Sequence, residues 1–504
     1  MNIETNKSQG MSGALMRGAA LIGFVKLLSA FIGLISTIIL ARLLLPEDFG
    51  LIAIAMVSLY LVSVISELSL SSALVQLDDV EDIHYDTCFT LAIIRSLIIA
   101  AILFLIAGPV AEFYDDIRLK NIFIAISASM LVGGFLNPKT AEFIRNLDFK
   151  ADMIMALVEK VSGFIITIIT AFILRSYWAL VIGFIGSQIC KIIVSYILIS
   201  YRPKLSLKKS GDVLGFSIWI TLGNWVQTLN WRSDPLVLGY FISIQLLGYY
   251  NMAQRVNHMA TRDVIAPVAR VLFPAFSRMK SDPERLRLAY LKALSILTSV
   301  AFPAAVGLGL LAEPFTALVL GEKWLPIIPY VQALCVIAIF QAMQNVQPLA
   351  MATGHTKALL GRDIRSLIIR APLLFAGLYI GYTTEYEILM CAIIGRGVAD
   401  FINMVWNMQL VTQITSITIV DHIKAFSRPL IATAIMASAV FTSMYLAPME
   451  DTALFLQVAV RVLLGVGVYA ATMLGTYYAS GKPDGPEKVA FGLMAKILKM
   501  RKSS

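Results

Sequence analysis

Ionisable side chains set inside long apolar runs carry most of the chemistry in this 504-residue sequence. Eleven cations lie well within such runs: Lys26, Arg95, Lys160, Lys191, Arg232, Arg255, Arg262, Arg270, Arg370, Arg396 and Arg461. Five anions accompany them, Glu67, Glu159, Asp234, Asp263 and Asp400. A charge in apolar surroundings is costly unless it is paired or faces water, so each marks a candidate site. The positive excess suits an anionic ligand, and arginine grips phosphate oxygens through two parallel hydrogen bonds.

The pattern is densest over 246–272. With about 100° per residue, Asn251, Arg255, His258, Arg262 and Arg270 share one face of a helix whose other face is apolar. Two readings stand: a wall that contacts phosphate, or an interfacial or pairing face. His258 alone gives no ground for a proton relay. Over 213–243, Trp219, Gly223, Gln227, Asn230 and Asp234 recur at three- and four-residue spacing, beside Asn224, Thr228 and Trp231. Aromatic faces and amides suit a sugar, whose C–H faces stack while its hydroxyls need hydrogen bonds. Helix packing through small and polar residues explains the same stripe. Gln341, Asn345 and Pro348 share a face with the same two readings. With Lys26 and Arg95, these residues form the candidate substrate-contacting set. Glu67 with Arg95, Arg396 with Asp400, and Asp234 with Arg255 read as neutralising pairs rather than coupling-ion sites.

No enzyme motif accompanies these charges. Gly475 to Lys482 resembles a phosphate loop but has one residue too many, and Pro483 stands where Ser or Thr is required. HExxH and GxSxG are absent. Cys88, Cys190, Cys335 and Cys391 are scattered through apolar runs without metal spacing. Neither a cofactor, a metal nor a catalytic residue is expected, and ATP-driven transport would need a separate subunit.

The elements that must position these residues are membrane helices. Hydrophobic residues make up 58% and charged ones 14%, against about 45–50% and about 25% in soluble proteins. The net charge of +9 does not indicate nucleic acid, because the cations sit in short loops and apolar runs. A window of about 20 apolar residues gives fourteen spans, near 19–44, 50–77, 88–111, 119–137, 153–174, 177–200, 213–243, 246–272, 287–311, 326–351, 358–380, 387–412, 425–446 and 454–479. Spans seven and eight are the most polar, and a soluble hairpin is the alternative there. The first is too long for a secretory signal peptide and lacks a cleavage site. With both termini cytoplasmic, the cytoplasmic loops and tails hold 24 Lys and Arg and the opposite loops four or five. The acidic connection holding Asp78, Asp79, Glu81, Asp82 and Asp86 is the exception in sign. The basic tail after Ser480 reads as solvated.

An internal repeat organises the spans. LARLLLPEDFGL (40–51) and LGYFISIQLLGY (238–249) each close one span and open the next, with Gly50 and Gly248 offset by 198. Asn137-Pro138 and Gln347-Pro348 end spans four and ten. Six spans per repeat keep both copies in one orientation, the pattern of two lobes related about the membrane normal with a substrate cavity between them. The expected fold is all-α with about fourteen transmembrane helices: an N-lobe over 1–211, a C-lobe over 212–416, two further helices over 417–480 and a basic cytoplasmic tail over 481–504.

Leu40–Gln76 (LARLLLPEDFG…ISELSLSSALVQ), Arg145–Lys150 (RNLDFK) and Arg232–Tyr290 (RSDPLVLGYFISIQLLGYYNMAQRV…FPAFSRMKSDPERLRLAY) resemble Wzx-type polysaccharide flippases of the WzxC-like branch. That branch belongs to the multidrug/oligosaccharidyl-lipid/polysaccharide exporter superfamily. The resemblance runs over nearly the whole chain. Its matched residues Pro46, Phe49, Gly50, Asp234, Gly248, Tyr249 and Tyr250 bring no catalytic site with them. Gly239-Tyr240 departs from relatives that have Gly followed by a basic residue. The resemblance implies an alternating-access transporter of the bacterial inner membrane. It implies movement of undecaprenyl-diphosphate-linked oligosaccharide to the periplasmic leaflet. Polysaccharide polymerase and export machinery would be its partners. The driving force stays open among a coupling ion, proton or sodium, and the membrane potential. A drug/cation antiporter of the same superfamily would favour acidic residues in its cavity. A membrane polysaccharide polymerase usually needs a large periplasmic loop, and the loops here are short.

Overall fold

The computed structural model describes residues 23, 25–65, 74, 79–145, 149–211, 225–230, 232–261, 272–384, 386–446, 452–482, 484–488 and 491–492. Among these residues the chain is helical, with no strand. Eleven of the described helices are long and apolar enough to cross a membrane. Three expected spans fall outside that set. Span four is a helix of only 17 residues, span seven is described only over 225–230 and 232–243, and span eight is described for 17 polar-rich residues.

Two compact units divide the chain, Met1–Gly248 and Tyr249–Ser504. The first holds α1 (Val25–Leu43), α2 (Pro46–Ile65), α3 (Asp82–Phe113), α4 (Ile117–Gly133), α5 (Phe149–Leu174), α6 (Trp178–Leu198) and α7 (Asp234–Phe241). The unit boundary falls within α8 (Ile244–Ala260). The second unit continues with α9 (Pro283–Leu310), α10 (Ile328–Ala342), α11 (Gln347–Ala352), α12 (Thr356–Thr383), α13 (Ile388–Thr415), α14 (Ile419–Leu446) and α15 (Leu454–Ala479). Sequential helices pack as hairpins, α3 on α4, α5 on α6 and α12 on α13, as short connections between antiparallel spans require.

In the first unit, the connections assigned to one membrane side by charge meet one another. Lys139 pairs with Asp82 at 2.8 Å, and Asp86 accepts from the Tyr201 hydroxyl at 2.7 Å and the Lys204 amide at 2.8 Å. The Lys139 ammonium also lies over the Tyr201 ring. The acidic connection therefore serves as the acceptor for two basic ones. Burial, and then the hydrogen bond to Asp86, push the Tyr201 hydroxyl above its ordinary pKa. At the other end, Arg118 pairs with Glu47 at 3.1 Å, and the Tyr177 amide donates to Asp48 at 2.9 Å.

The repeat at offset 198 has a physical counterpart. α2 begins at Pro46 and α8 at Ile244, 198 residues apart. A Cβ on Gly50 would strike the Ile244 carbonyl oxygen, and one on Gly248 would strike the Pro46 carbonyl oxygen. Each glycine meets the other's counterpart, the reciprocity that a two-fold relation between the helix starts produces. Only the missing side chains allow this approach.

The breaks in spans four and ten also correspond. After α4 the chain turns, and Asn137, fully buried, sends its Nδ2 to the Ile199 carbonyl at 3.1 Å beyond α6. After α10 the helix breaks over 343–346 and resumes as α11. There Gln344 Nε2 donates to the Asp400 carbonyl of α13 at 2.9 Å. Backbone freed from a helix within a span needs protein or water partners, and amide side chains hold both breaks.

Among the described residues of the tail, Glu487 departs from the expected solvated state. Glu487 is buried and pairs with Arg428 of α14 at 3.2 Å. The hydrogen bond from Lys488, reinforced by the charge of Lys292, holds the Asp484 carboxyl below the usual carboxylate range.

Candidate functional site

The polar core of the second unit grows from one stripe on α13. Arg396, Asp400, Asn403 and Asn407 follow one another at four, three and four residues, so they share a face, and all four are buried. Arg396 Nε lies 3.8 Å from Asp400 Oδ2, and Arg396 Nη1 donates to the Tyr250 hydroxyl. Gln254 Nε2 donates to the same hydroxyl at 2.7 Å. Gln341 Nε2 donates to Asp400 Oδ2 at 3.1 Å. At the break after α10, Gln344 Oε1 accepts from Asn403 Nδ2 at 3.0 Å and from Asn407 Nδ2 at 3.1 Å. The Oδ1 atoms of Asn403 and Asn407 remain buried acceptors with no hydrogen-bond partner among the described residues. The cluster can therefore hold a charge pair away from lipid and accept bonds from hydroxyl-like donors.

Gln341, Arg396 and Asp400 of this cluster are polar candidates in the sequence, and Tyr250 appears there only as a residue matched by the resemblance; Gln344, Asn403, Asn407 and Gln254 are not singled out. Continuing the three-and-four spacing beyond Asp400 would have found the two asparagines. Asn345 sits half-buried in the turn beside Gln344. Replacing Gln344 by leucine strands two buried amide donors, each worth about 1–3 kcal/mol. The expected result is a clear drop in thermal stability of the purified protein. Adding Asn403→Leu and Asn407→Leu should recover part of it, since removing both sides of a bond is less costly than removing one.

Elsewhere the candidates are separately placed. Trp219, Asn224 and Arg262 lie outside the described residues, as do Glu67, Asp263 and Arg270. Gln227 is half-buried, and Asn230 and Asp234 are buried. Asp234 occupies the first turn of α7, where the helix dipole favours a carboxylate. On α8, Met252, Ala253, Val256 and Asn257 form a buried face, and Asn257 Nδ2 is tied to the Leu334 carbonyl at 3.2 Å. Arg255 is exposed, while Asn251 and His258 are half-buried. Lys26 is exposed on α1. Arg95 donates to the Ser63 carbonyl at 3.4 Å, and Arg232 lies over the Tyr60 ring at 4.4 Å. Lys191 pairs with Glu159 across the α5–α6 hairpin at 2.8 Å, removing one cation from the excess. Among the described residues, no group of three or more His, Cys, Asp and Glu side chains could hold a metal.

The chain is 26% identical to the lipopolysaccharide biosynthesis protein WzxC of Escherichia coli (strain K12), over 62% of this chain and 65% of that protein, just under two thirds of its length. It is 24% identical to the succinoglycan biosynthesis transport protein ExoT of Rhizobium meliloti (strain 1021), over 79% of this chain and 80% of that one. Its fold matches the lipid II flippase MurJ in an inward closed conformation, with a TM-score of 0.72 at 18% identity. That match covers 91% of this chain and 99% of MurJ. Residues 39–329, more than half of the sequence, match the polysaccharide biosynthesis protein family, and the chain belongs to it.

Proposed function

We propose that this multi-pass membrane protein flips undecaprenyl-diphosphate-linked oligosaccharide repeat units from the cytoplasmic to the periplasmic leaflet. The units would feed an exopolysaccharide or another surface polysaccharide. Membership of the polysaccharide biosynthesis family carries this reading. Relatives named for lipopolysaccharide and succinoglycan biosynthesis support it, as does the fold shared with a lipid II flippase. The protein would lie in the bacterial inner membrane with both termini cytoplasmic, the frame that its Lys and Arg distribution favours.

In this reading Lys26, Arg95, Arg255 and Arg262 hold the diphosphate, whose oxygens suit charge-assisted bonds. Trp219, Asn224, Gln227, Asn230, Asn251, Gln341 and Asn345 face the sugars, with Asp234 and His258 beside them. The cycle is alternating access, driven by a coupled proton or sodium ion or by the membrane potential, with the lipid tail left in the bilayer. A polysaccharide polymerase receives the product.

The test is a leaflet-resolved assay of lipid-linked oligosaccharide in cells depleted of the protein. Repeat units should accumulate facing the cytoplasm while surface polysaccharide is lost. Accumulation facing the periplasm would assign the protein to polymerisation instead, and none on either side would favour drug export. Arg255→Gln and Arg262→Gln, tested separately, should each reduce export about tenfold, the worth of one charge-assisted contact. Normal export by both variants at normal membrane levels would remove the 246–272 face from the site.

A further inference from the structure

A cleft of about 450 Å³ opens at the end of the second unit that carries its basic connections. Lys280, Ser281, Pro283, Leu286, Thr353, His355, Ile414 and Thr415 line it. Three separate chain segments thus converge: the turn before α9, the turn before α12, and the last residues of α13. Leu286, Pro283 and Ile414 make one apolar wall, and Lys280 and His355 stand exposed at the polar side.

The electrostatics of this cleft favour an anion. Both α9 and α12 are 28 residues long and begin at it, so two positive helix ends converge there. Asp282 is committed to α9 itself, accepting from the Arg285 amide at 3.0 Å. α12 has no such arrangement: His355 occupies its N-cap position without a side-chain cap bond. The Thr353 hydroxyl donates to the Leu349 carbonyl at 3.0 Å, so it can only accept from His355 Nδ1 at 2.9 Å. That leaves Nε2 as the ring's remaining polar atom. The Lys280 ammonium, the Ser281 hydroxyl and the opening amides of α12 are then donors gathered beside an apolar wall.

We infer that this cleft binds the phosphate group of a membrane lipid, with the polar donors on the phosphate and the Leu286–Ile414 wall against the start of the hydrocarbon. Basic pockets between membrane helices hold phosphorylated head groups by this combination. The site is separate from the residues assigned above to repeat-unit transport, and its occupancy can be read without any transport. Two sources supply the same chemistry: an anionic phospholipid of the bilayer, and a prenyl diphosphate.

The test uses the full-length protein in phosphatidylcholine nanodiscs. One arm contains a small fraction of phosphatidylglycerol and the other undecaprenyl diphosphate. Lipids retained on the protein are counted by native mass spectrometry. A retained phosphate lipid is expected, and Lys280→Gln should weaken it about tenfold, the worth of one charge-assisted bond. Ser281→Asp, which places a carboxylate in the cleft, should abolish it. Both positions are exposed, so folding is spared, and Lys204→Gln in the first unit reports the background from other basic loops. Retention of undecaprenyl diphosphate alone would identify the prenyl lipid as the occupant. Equal or preferred retention of phosphatidylglycerol would identify a bilayer phospholipid. Unchanged retention of both lipids in Lys280→Gln and Ser281→Asp would overturn the site.

Discussion

Replacing Arg396 with leucine is expected to destabilise the second unit by about 3–5 kcal/mol, and Asp400→Leu by a similar amount. Each substitution leaves the other charge buried: the side chains of Arg396 and Asp400 are 5% and 4% exposed. Gln341 supplies one neutral donor to Asp400 and Tyr250 one neutral acceptor to Arg396, which does not replace an opposite charge. The double variant Arg396→Leu/Asp400→Leu should recover most of the loss, because the cost comes from the unmatched charge rather than from the lost attraction. A double-mutant cycle on thermal unfolding of the detergent-purified protein measures this. Equal losses in the single and double variants would mean that packing of α13, not charge, sets the effect.

Alanine at Gly248 should be the next most damaging change, because the new methyl group meets the Pro46 carbonyl oxygen rather than a movable side chain. Backbone must shift to admit it, an overpacking cost of about 1–3 kcal/mol or more. Gly50→Ala should behave alike through the Ile244 carbonyl. The reciprocal geometry makes a sharper statement about the pair. Opening the contact once relieves both clashes, so Gly50→Ala/Gly248→Ala should lose less than the sum of the singles. Strict additivity would show that the two glycines sit in independent contacts.

What could be read before the fold was known follows from the range of each interaction. The Arg396–Asp400 pair was legible because both residues lie on one helix at a four-residue spacing. The equivalence of Gly50 and Gly248 was legible as an offset, though not the reciprocal contact behind it. The all-helical, many-span architecture followed from apolar run lengths and Lys/Arg placement, which depend on the bilayer rather than on distant partners. The acidic connection around Asp82 and Asp86 was conspicuous but unexplained, since Tyr201 and Lys204 are more than 110 residues away in sequence. Gln347-Pro348 marked the end of span ten, but nothing in the apolar run between Pro329 and Pro348 singled out Gln344 as the residue that holds the break. Its role depends on Asn403 and Asn407, which only tertiary packing brings close. The same holds for Glu487, whose burial against Arg428 no composition of the tail foretells.

The contacts between connections in the first unit have a consequence for biogenesis. Lysine and arginine counts act while spans enter the bilayer, one at a time and before any tertiary structure exists. The bonds of Asp82 and Asp86 form later and join the connections before α3, after α4 and after α6. A chain with one hairpin inverted would strand these partners on opposite sides of the membrane, where no rearrangement short of re-insertion could reunite them. The finished unit thus rewards only the topology that the charge pattern selects, and a misinserted chain is left incompletely packed and open to quality-control proteolysis.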